Sequence, residues 1–272
     1  MISFNNSYIC KMKIDFFKYQ GAGNDFVIID NRNDFFPKDD YKLIQACCDR
    51  KFGIGADGLM LLENDAQTDF KMVYYNADGK PGSMCGNGGR CIVAFAKTLG
   101  VFQEATKFMA LGEIYQATMQ GEEVSLKMID IDAIEVYDKH VFLDTGSPHH
   151  VSFVENLSEF NVVDHGRKIR YGAPYNETGT NVNFVEKLND NTFSVRTYER
   201  GVENETLSCG TGVTAVALAS YHLNRTSEKT IHIETLGGKL KIEFEKENNV
   251  YKNIILSGPA TQVFQGTIDM KL

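Results

Sequence analysis

Two cysteines sit in matching local contexts. Cys85-Gly86-Asn87-Gly88 and Cys209-Gly210-Thr211-Gly212 lie 124 residues apart in a chain of 272. Each leads into an apolar stretch with helical spacing, 89–99 (GRCIVAFAKTL) and 212–223 (GVTAVALASYHL). The first turn of a helix leaves N–H groups unpaired at the positive end of the macrodipole. A cysteine placed there is expected to ionise more readily, its pKa falling from about 8.5 toward neutrality. The glycines let backbone N–H groups approach an anion such as a carboxylate. Alone, one such site reads more simply as a structural cysteine beside a tight turn. Two at equivalent positions read as an acid and a base. A thiolate removes a proton from carbon and a thiol returns one to the opposite face, inverting a stereocentre without a cofactor.

The elements that must position this pair repeat. Short β-branched or aromatic runs at 13–20, 26–30, 58–62, 70–75, 106–111, 114–119 and 123–129 surround the first apolar helix. A second helical pattern spans 39–50 (DDYKLIQACCDR), with apolar residues at Leu43, Ile44 and Cys47. In the second half, runs at 140–143, 150–154, 182–186 and 192–198 precede the other helix, and 230–235, 239–245 and 253–257 follow it. A helix apolar all round is expected to be wrapped by sheet. The pattern predicts an α+β fold of two pseudo-symmetric domains, each a curved, mostly antiparallel sheet or barrel around a central helix. The active site is expected in the cleft between them. The domains are placed at 12–130 and 131–272, joined near 129–139, with the last strand free to return to the first domain. Residues 1–11 are read as a poorly ordered extension, with Met12 an alternative start.

Composition narrows the classes. Hydrophobic residues at 43% and charged residues at 24% are ordinary for a folded soluble chain. A net charge of −8 and no Lys/Arg cluster argue against nucleic acid or an anionic membrane as partner. Six cysteines without a regular spacing form no disulfide framework. The longest apolar stretches, near 92–96 and 213–219, are too short to span a bilayer. The first eleven residues lack the basic and apolar regions of a secretory signal, so a cytoplasmic protein with reduced thiols is expected. The segment 53–58 fits G-x-G-x-x-G, but a helix-like stretch precedes it and strand-like LMLLE follows, the reverse of a dinucleotide site. There is no phosphate-binding loop, no Cys-x-x-Cys or His-x-x-x-His pair, and no lysine in a Schiff-base motif. No metal and no cofactor are expected.

Six segments together resemble diaminopimelate epimerase, the pyridoxal-phosphate-independent family that interconverts LL- and meso-diaminopimelate. They are KYQGAGNDFVIID (18–30), RKFGIGADGL (50–59), YYNADGKPGSMCGNGGRC (74–91), TGSPHHV (145–151), GTNVNF (179–184) and YERGVENETLSCGTG (198–212). The resemblance implies that Cys85 and Cys209 are the catalytic pair. It implies that Gly86-Asn87 and Gly210-Thr211 supply backbone donors to the substrate carboxylate. Asn24, Asn76 and Asn181 would hold the substrate, and Glu199 and Arg200 would meet its charged groups. His149 and Glu199 would tune thiol protonation. A zwitterionic amino-acid end needs a carboxylate for its ammonium and a guanidinium fork for its carboxylate, which agrees. A small-molecule substrate and a homodimer are implied, with lysine biosynthesis and cell-wall precursor supply as the destination.

Plainer roles stand beside these. Asn24 suits a left-handed turn, Glu199–Arg200 a surface ion pair, and His149 a loop. Asp25 reads as a brace, His150 as structural, Cys10, Cys47 and Cys48 as incidental, and Cys91 as core. Two positions depart from the pattern: Gly58 stands where some members have Gln, and Ser147 where some have Asn. Proline and hydroxyproline racemases form the alternative family, but they typically carry His where this chain has Asn87. A redox pair formed by the two cysteines would not call for the Asn, Glu and Arg residues.

Overall fold

The computed structural model describes residues 11–82 and 84–271. Cys10 and most of the expected N-terminal extension lie outside the described residues, while Lys11 opens the first strand. The first half runs β1 (Lys11–Gly21), β2 (Asn24–Asp30), α1 (Tyr41–Cys48), β3 (Gly58–Glu63), β4 (Phe70–Asn76), α2 (Gly86–Thr98), β5 (Ala105–Ala110), β6 (Glu113–Gln120) and β7 (Glu123–Lys127). The second runs β8 (Glu135–Val136), β9 (Val141–Asp144), β10 (Pro148–Phe153), α3 (Val162–Tyr171), β11 (Asn181–Lys187), β12 (Thr192–Glu199), β13 (Asn204–Thr206), α4 (Gly210–His222), β14 (Thr230–Thr235), β15 (Gly238–Glu247), β16 (Val250–Pro259) and β17 (Thr261–Lys271).

The two halves share one pairing scheme. β1–β2 is antiparallel, β2–β3 parallel, β3–β4 antiparallel, β4–β5 parallel, and β5–β6–β7 antiparallel. The same succession joins β9, β10, β11, β12, β14, β15 and β16. A parallel neighbour needs a crossover, and a helix fills each one. α1 and α3 serve the first crossover of each half, and α2 and α4 the second. The halves meet where β7 pairs antiparallel with its counterpart β16, so a single sheet runs through both. At that seam Ser125 faces Ser257, their hydroxyls 2.8 Å apart. β17 returns to the first half and pairs along β1.

Burial explains the central helices. Every residue of α2 from Gly86 to Ala96 is buried, and in α4 Gly210 and every residue from Gly212 to Ser220. Each is the spine of its own apolar cluster. Ile92, Val93 and Phe95 pack with Phe26, Met60, Phe70 and Phe108 in one, and Val213, Val216 and Leu218 with Phe193, Ile231, Ile242 and Leu256 in the other. β3 (GLMLLE) is buried at all six positions, because helices cover one face and the outer α1 the other. The outer helices start on side-chain caps: Asp40 accepts from the Leu43 amide, and Asn161 from the Asp164 amide.

Candidate active site

Cys85 and Cys209 are the N-cap residues of α2 and α4, both with extended backbone. The two helices meet end to end. A Cβ added at Gly210 would lie 3.1 Å from the Gly86 Cα and 3.5 Å from the Asn87 amide nitrogen. Glycine at position 210 leaves room for the N-termini to approach this closely. Asn87 ties the junction, its Nδ2 donating to the Ser208 carbonyl at 3.0 Å while its Oδ1 accepts from Arg90 at 3.0 Å. Two sets of first-turn amides therefore converge on one place, as an anion-binding concavity requires.

Around this junction the structure gathers most of the residues singled out above. Cys85 Sγ donates to Asn24 Oδ1 at 3.5 Å, and Asn24 Nδ2 donates to Asp57 at 2.6 Å. Asp57 and Asp25 are bound together by Arg50, and Asp25 also pairs with Lys18 at 2.7 Å. Burial works against the Asp25 carboxylate, but hydrogen bonds from Arg50 and Lys18 win and bring its pKa down to about 2. Asp25 is thus the brace expected of it, and it holds the turn that carries Asn24. Asn76 ends β4 opposite Gly58 with an exposed side chain. Asn181 spends its polar atoms on the protein: Nδ2 donates to Ser147 Oγ and the Pro148 carbonyl, and Oδ1 accepts the Arg200 amide at 2.9 Å. It fixes the backbone from which Arg200 projects.

Glu199 and Arg200 do not pair with each other. Glu199 accepts a hydrogen bond from Thr206 at 2.9 Å and, among the described residues, has no cationic partner within ion-pair distance. Burial raises its pKa. Arg200 donates to the Thr178 carbonyl and, among the described residues, meets no carboxylate. Among the described residues, the half-buried Glu199 carboxylate and the Arg200 guanidinium each lack a counter-ion. The surface ion pair considered for them is not formed.

His149 is wholly buried on β10, with Nε2 2.9 Å from Thr211 Oγ1. Burial, and then the Arg200 charge, push its pKa down to about 3, so the ring is neutral. Neighbouring His150 is held by Tyr175 and Ser152, a structural role. Cys47, Cys48 and Cys91 are buried in apolar clusters.

The expected drop in thiol pKa is overturned. Burial pushes Cys85 up to about 11, and Glu199 acts in the same direction. Burial and Glu199 also raise Cys209. The amides of Asn87 and Gly88 favour the Cys85 thiolate, and Thr211 and Gly212 that of Cys209, but desolvation outweighs them. Helix-end polarity is a short-range term, and the desolvation of the two sulfurs exceeds it.

The family model for diaminopimelate epimerase matches residues 16–132 and 141–263. A diaminopimelate epimerase from Flavobacterium psychrophilum is 54% identical over 253 residues, covering 93% of this chain and 99% of its own. One from Chlorobaculum tepidum is 43% identical over 260 residues, with 92% and 99% covered. The chain belongs to the diaminopimelate epimerase family. Among solved structures, a PhzF-family phenazine biosynthesis protein from Bacillus anthracis superposes with a TM-score of 0.76 at 12% identity, covering 94% of this chain and 99% of its own. A hydroxyproline epimerase from Agrobacterium vitis gives 0.69 at 12%, covering 96% and 93%. At such identity these two show the shared fold alone.

Within the diaminopimelate epimerase family the two departures have physical explanations. Ser147 accepts the hydrogen bond from Asn181 that fastens the Arg200 segment. At Gly58 the space is taken: a Cβ there would lie 2.5 Å from the Tyr74 ring and 2.6 Å from the Tyr75 carbonyl. The same ring lies 2.3 Å from a Cβ added at Gly82, so it is clamped between two glycines. Gly58→Gln is therefore expected to destabilise the fold by about 1–3 kcal/mol, as overpacking does. A fall in the urea midpoint would register it, and an unchanged midpoint would show that the ring moves aside freely.

Several site residues escaped the sequence reading. Arg90 is fully buried, donating to the Gly86 carbonyl and Asn87, with Nε unpartnered among the described residues. Its only signal was its place one turn beyond Cys85. Lys18, Arg50 and Asp57, which the sequence placed only in a strand run, a helical pattern and the Gly-rich segment 53–58, support Asn24. Asn183 lies two residues beyond Asn181, on the same side of β11, a period-2 signal that was available.

Proposed function

We propose that this chain converts LL-diaminopimelate to meso-diaminopimelate by two-base proton transfer at the α-carbon. Cys85 and Cys209 act as thiolate and thiol on opposite faces. The observation that carries the reading is that Glu199, which bears on both Cys85 and Cys209, and Arg200, which bears on His149, each stand without a counter-ion among the described residues. One guanidinium and the backbone donors answer two carboxylates, and one carboxylate answers one of the two ammonium groups, of a substrate with two zwitterionic ends. In this reading the amides of Gly86, Asn87, Gly210 and Thr211 hold the carboxylate at the reacting carbon. Asn24, Asn76 and Asn181 orient the substrate, directly or by fixing Arg200, and His149 and Glu199 tune the thiols. No cofactor or metal takes part. The working unit is two lobes, 12–130 and 131–272, the second lending its last strand to the first, in a cytoplasmic homodimer. Its product supplies lysine biosynthesis and cell-wall precursors.

Raised thiol pKa values fit such a cycle. A substrate ammonium brings positive charge into a site that holds an unpaired carboxylate and two neutral thiols, which favours ionisation of one of them. The sign of the pH dependence follows. Below the first thiol pKa both sulfurs are protonated and no base exists; above the second, no acid remains. In the free enzyme kcat/KM is expected to rise with pH through neutrality and to fall only in the alkaline range. A rising limb already complete below about pH 6 would contradict it.

The direct test is incubation of LL-diaminopimelate with the protein in deuterium oxide. Deuterium at the α-carbon of newly formed meso product supports the reading. Conversion without deuterium uptake would defeat the proton-transfer mechanism, and turnover of hydroxyproline in place of diaminopimelate would defeat the substrate.

A further inference from the structure

An unbroken run of hydrogen bonds, buried from Thr197 to His149, ends on the Cys209 sulfur. Thr197 Oγ1 donates to Asn183 Oδ1 at 3.0 Å. Asn183 Nδ2 donates to the His150 carbonyl at 3.0 Å and faces His149 Nδ1 at 3.1 Å. His149 Nε2 lies 2.9 Å from Thr211 Oγ1, which lies 3.5 Å from Cys209 Sγ. His149 and Asn183 are 0% exposed and Thr197 3%. Gly212 makes room for the run: a Cβ there would stand 2.5 Å from Asn183 Oδ1.

Counting donors gives the run a direction. A carbonyl only accepts, so the His150 contact fixes which end of the Asn183 amide is the NH2 group. That group then donates to His149 Nδ1, which must be bare. The ring is neutral, so its single proton sits on Nε2 and is donated to Thr211 Oγ1. The Thr211 hydroxyl proton is left free to point at Cys209. Cys85 has the opposite arrangement, since its side-chain partner Asn24 Oδ1 can only accept. The charged and titratable groups facing this run are Glu199 and Cys85 toward Cys209, and Arg200 toward His149. None of them supplies a donor to the Cys209 sulfur.

We propose that Asn183 is a positioning residue: by setting the His149 tautomer it aims the Thr211 hydroxyl at Cys209 and so favours the thiolate there. The proposal takes from the functional reading only that Cys209 is a reacting group. Its test uses no substrate, so it stands or falls apart from epimerisation, whose own failure would appear as absent deuterium at the α-carbon.

Nitrogen-15 NMR of the imidazole in the native protein is expected to place the His149 proton on Nε2. Iodoacetamide labelling with peptide mapping then reads Cys209 and Cys85 separately in one sample. Thr211→Val should slow Cys209 labelling near pH 8 by about tenfold, because a thiolate loses its hydroxyl donor. Thr211→Ser should keep the rate within about twofold. Asn183→Leu should slow Cys209 labelling and shift the His149 proton, and adding it to Thr211→Val should slow labelling no further. Cys85 should hold within about twofold throughout. A native proton on Nδ1, an additive double variant, or equal slowing at Cys85 would each overturn the proposal. Should Asn183→Leu not fold, the native tautomer and the two Thr211 variants still decide it.

Discussion

Replacing either Cys85 or Cys209 by serine is expected to cut epimerisation by at least about a thousandfold, within the usual range for removing a general acid or base. Serine has nearly the same shape, and each cysteine caps its helix without a side-chain capping bond, so the fold should survive. A hydroxyl, however, is a far weaker acid than a thiol. In a site that already pushes Cys85 up to about 11, an alkoxide base is out of reach. Each single variant should still allow proton exchange from the face whose thiol remains. Deuterium would then enter recovered substrate of one configuration while the other configuration fails to form. Full turnover in both single variants would defeat the two-thiol mechanism.

Mild oxidant is expected to join Cys85 to Cys209, stop turnover, and be reversed by dithiothreitol. The residues following the two cysteines, Gly86 and Gly210, are already in near contact, so the sulfurs border one gap. In a reactive complex the substrate carbon holds each sulfur roughly 3–3.5 Å away, about 7 Å from the other. Exchange proceeds through the thiolate, so with both thiols raised the linkage should accelerate as pH rises above neutrality. Bound substrate or a competitive analogue should slow it. Non-reducing peptide mapping would reveal the 85–209 link. Oxidised, inactive protein that keeps both cysteines free, or pairs either with Cys47, Cys48 or Cys91, would mean the two helix starts do not share a cleft.

The site was legible where chemistry is local. A repeated Cys-Gly-X-Gly before an apolar helix announces an N-cap cysteine, and two of them announced α2 and α4 to within a turn. What escaped depended on neighbours distant in sequence. Helix α3 (VVDHGRKIRY) buries only Val162, Gly166 and Arg170, so its apolar stripe is too thin to see despite the Asn161 cap. Strand β17 (TQVFQGTIDMK) interrupts its apolar residues with Gly266 and polar side chains, and among the described residues pairs with β1 alone. The thiol pKa values were misjudged because the helix end is visible in the sequence and the burial is not. Likewise the sequence contained Asn24, Asn87 and Asn181, but not that Asn181 would spend itself on Ser147, Pro148 and Arg200.

Strand β17 closes along β1 by pairing Lys11 with Lys271 through Gln20 with Thr261, residues 241 to 260 positions apart. During synthesis the first half therefore emerges from the ribosome with one strand of its sheet missing. β1 must wait, its outer backbone groups unpaired, until almost the whole second half has been made. Contacts of such separation are slow to form, because loop closure precedes any gain from them. Until then the outer edge of β1 is the kind of unpaired strand that chaperones and other chains engage. The same architecture makes the fold all-or-none with respect to length: a chain released before residue 261 lacks the strand that seals its beginning.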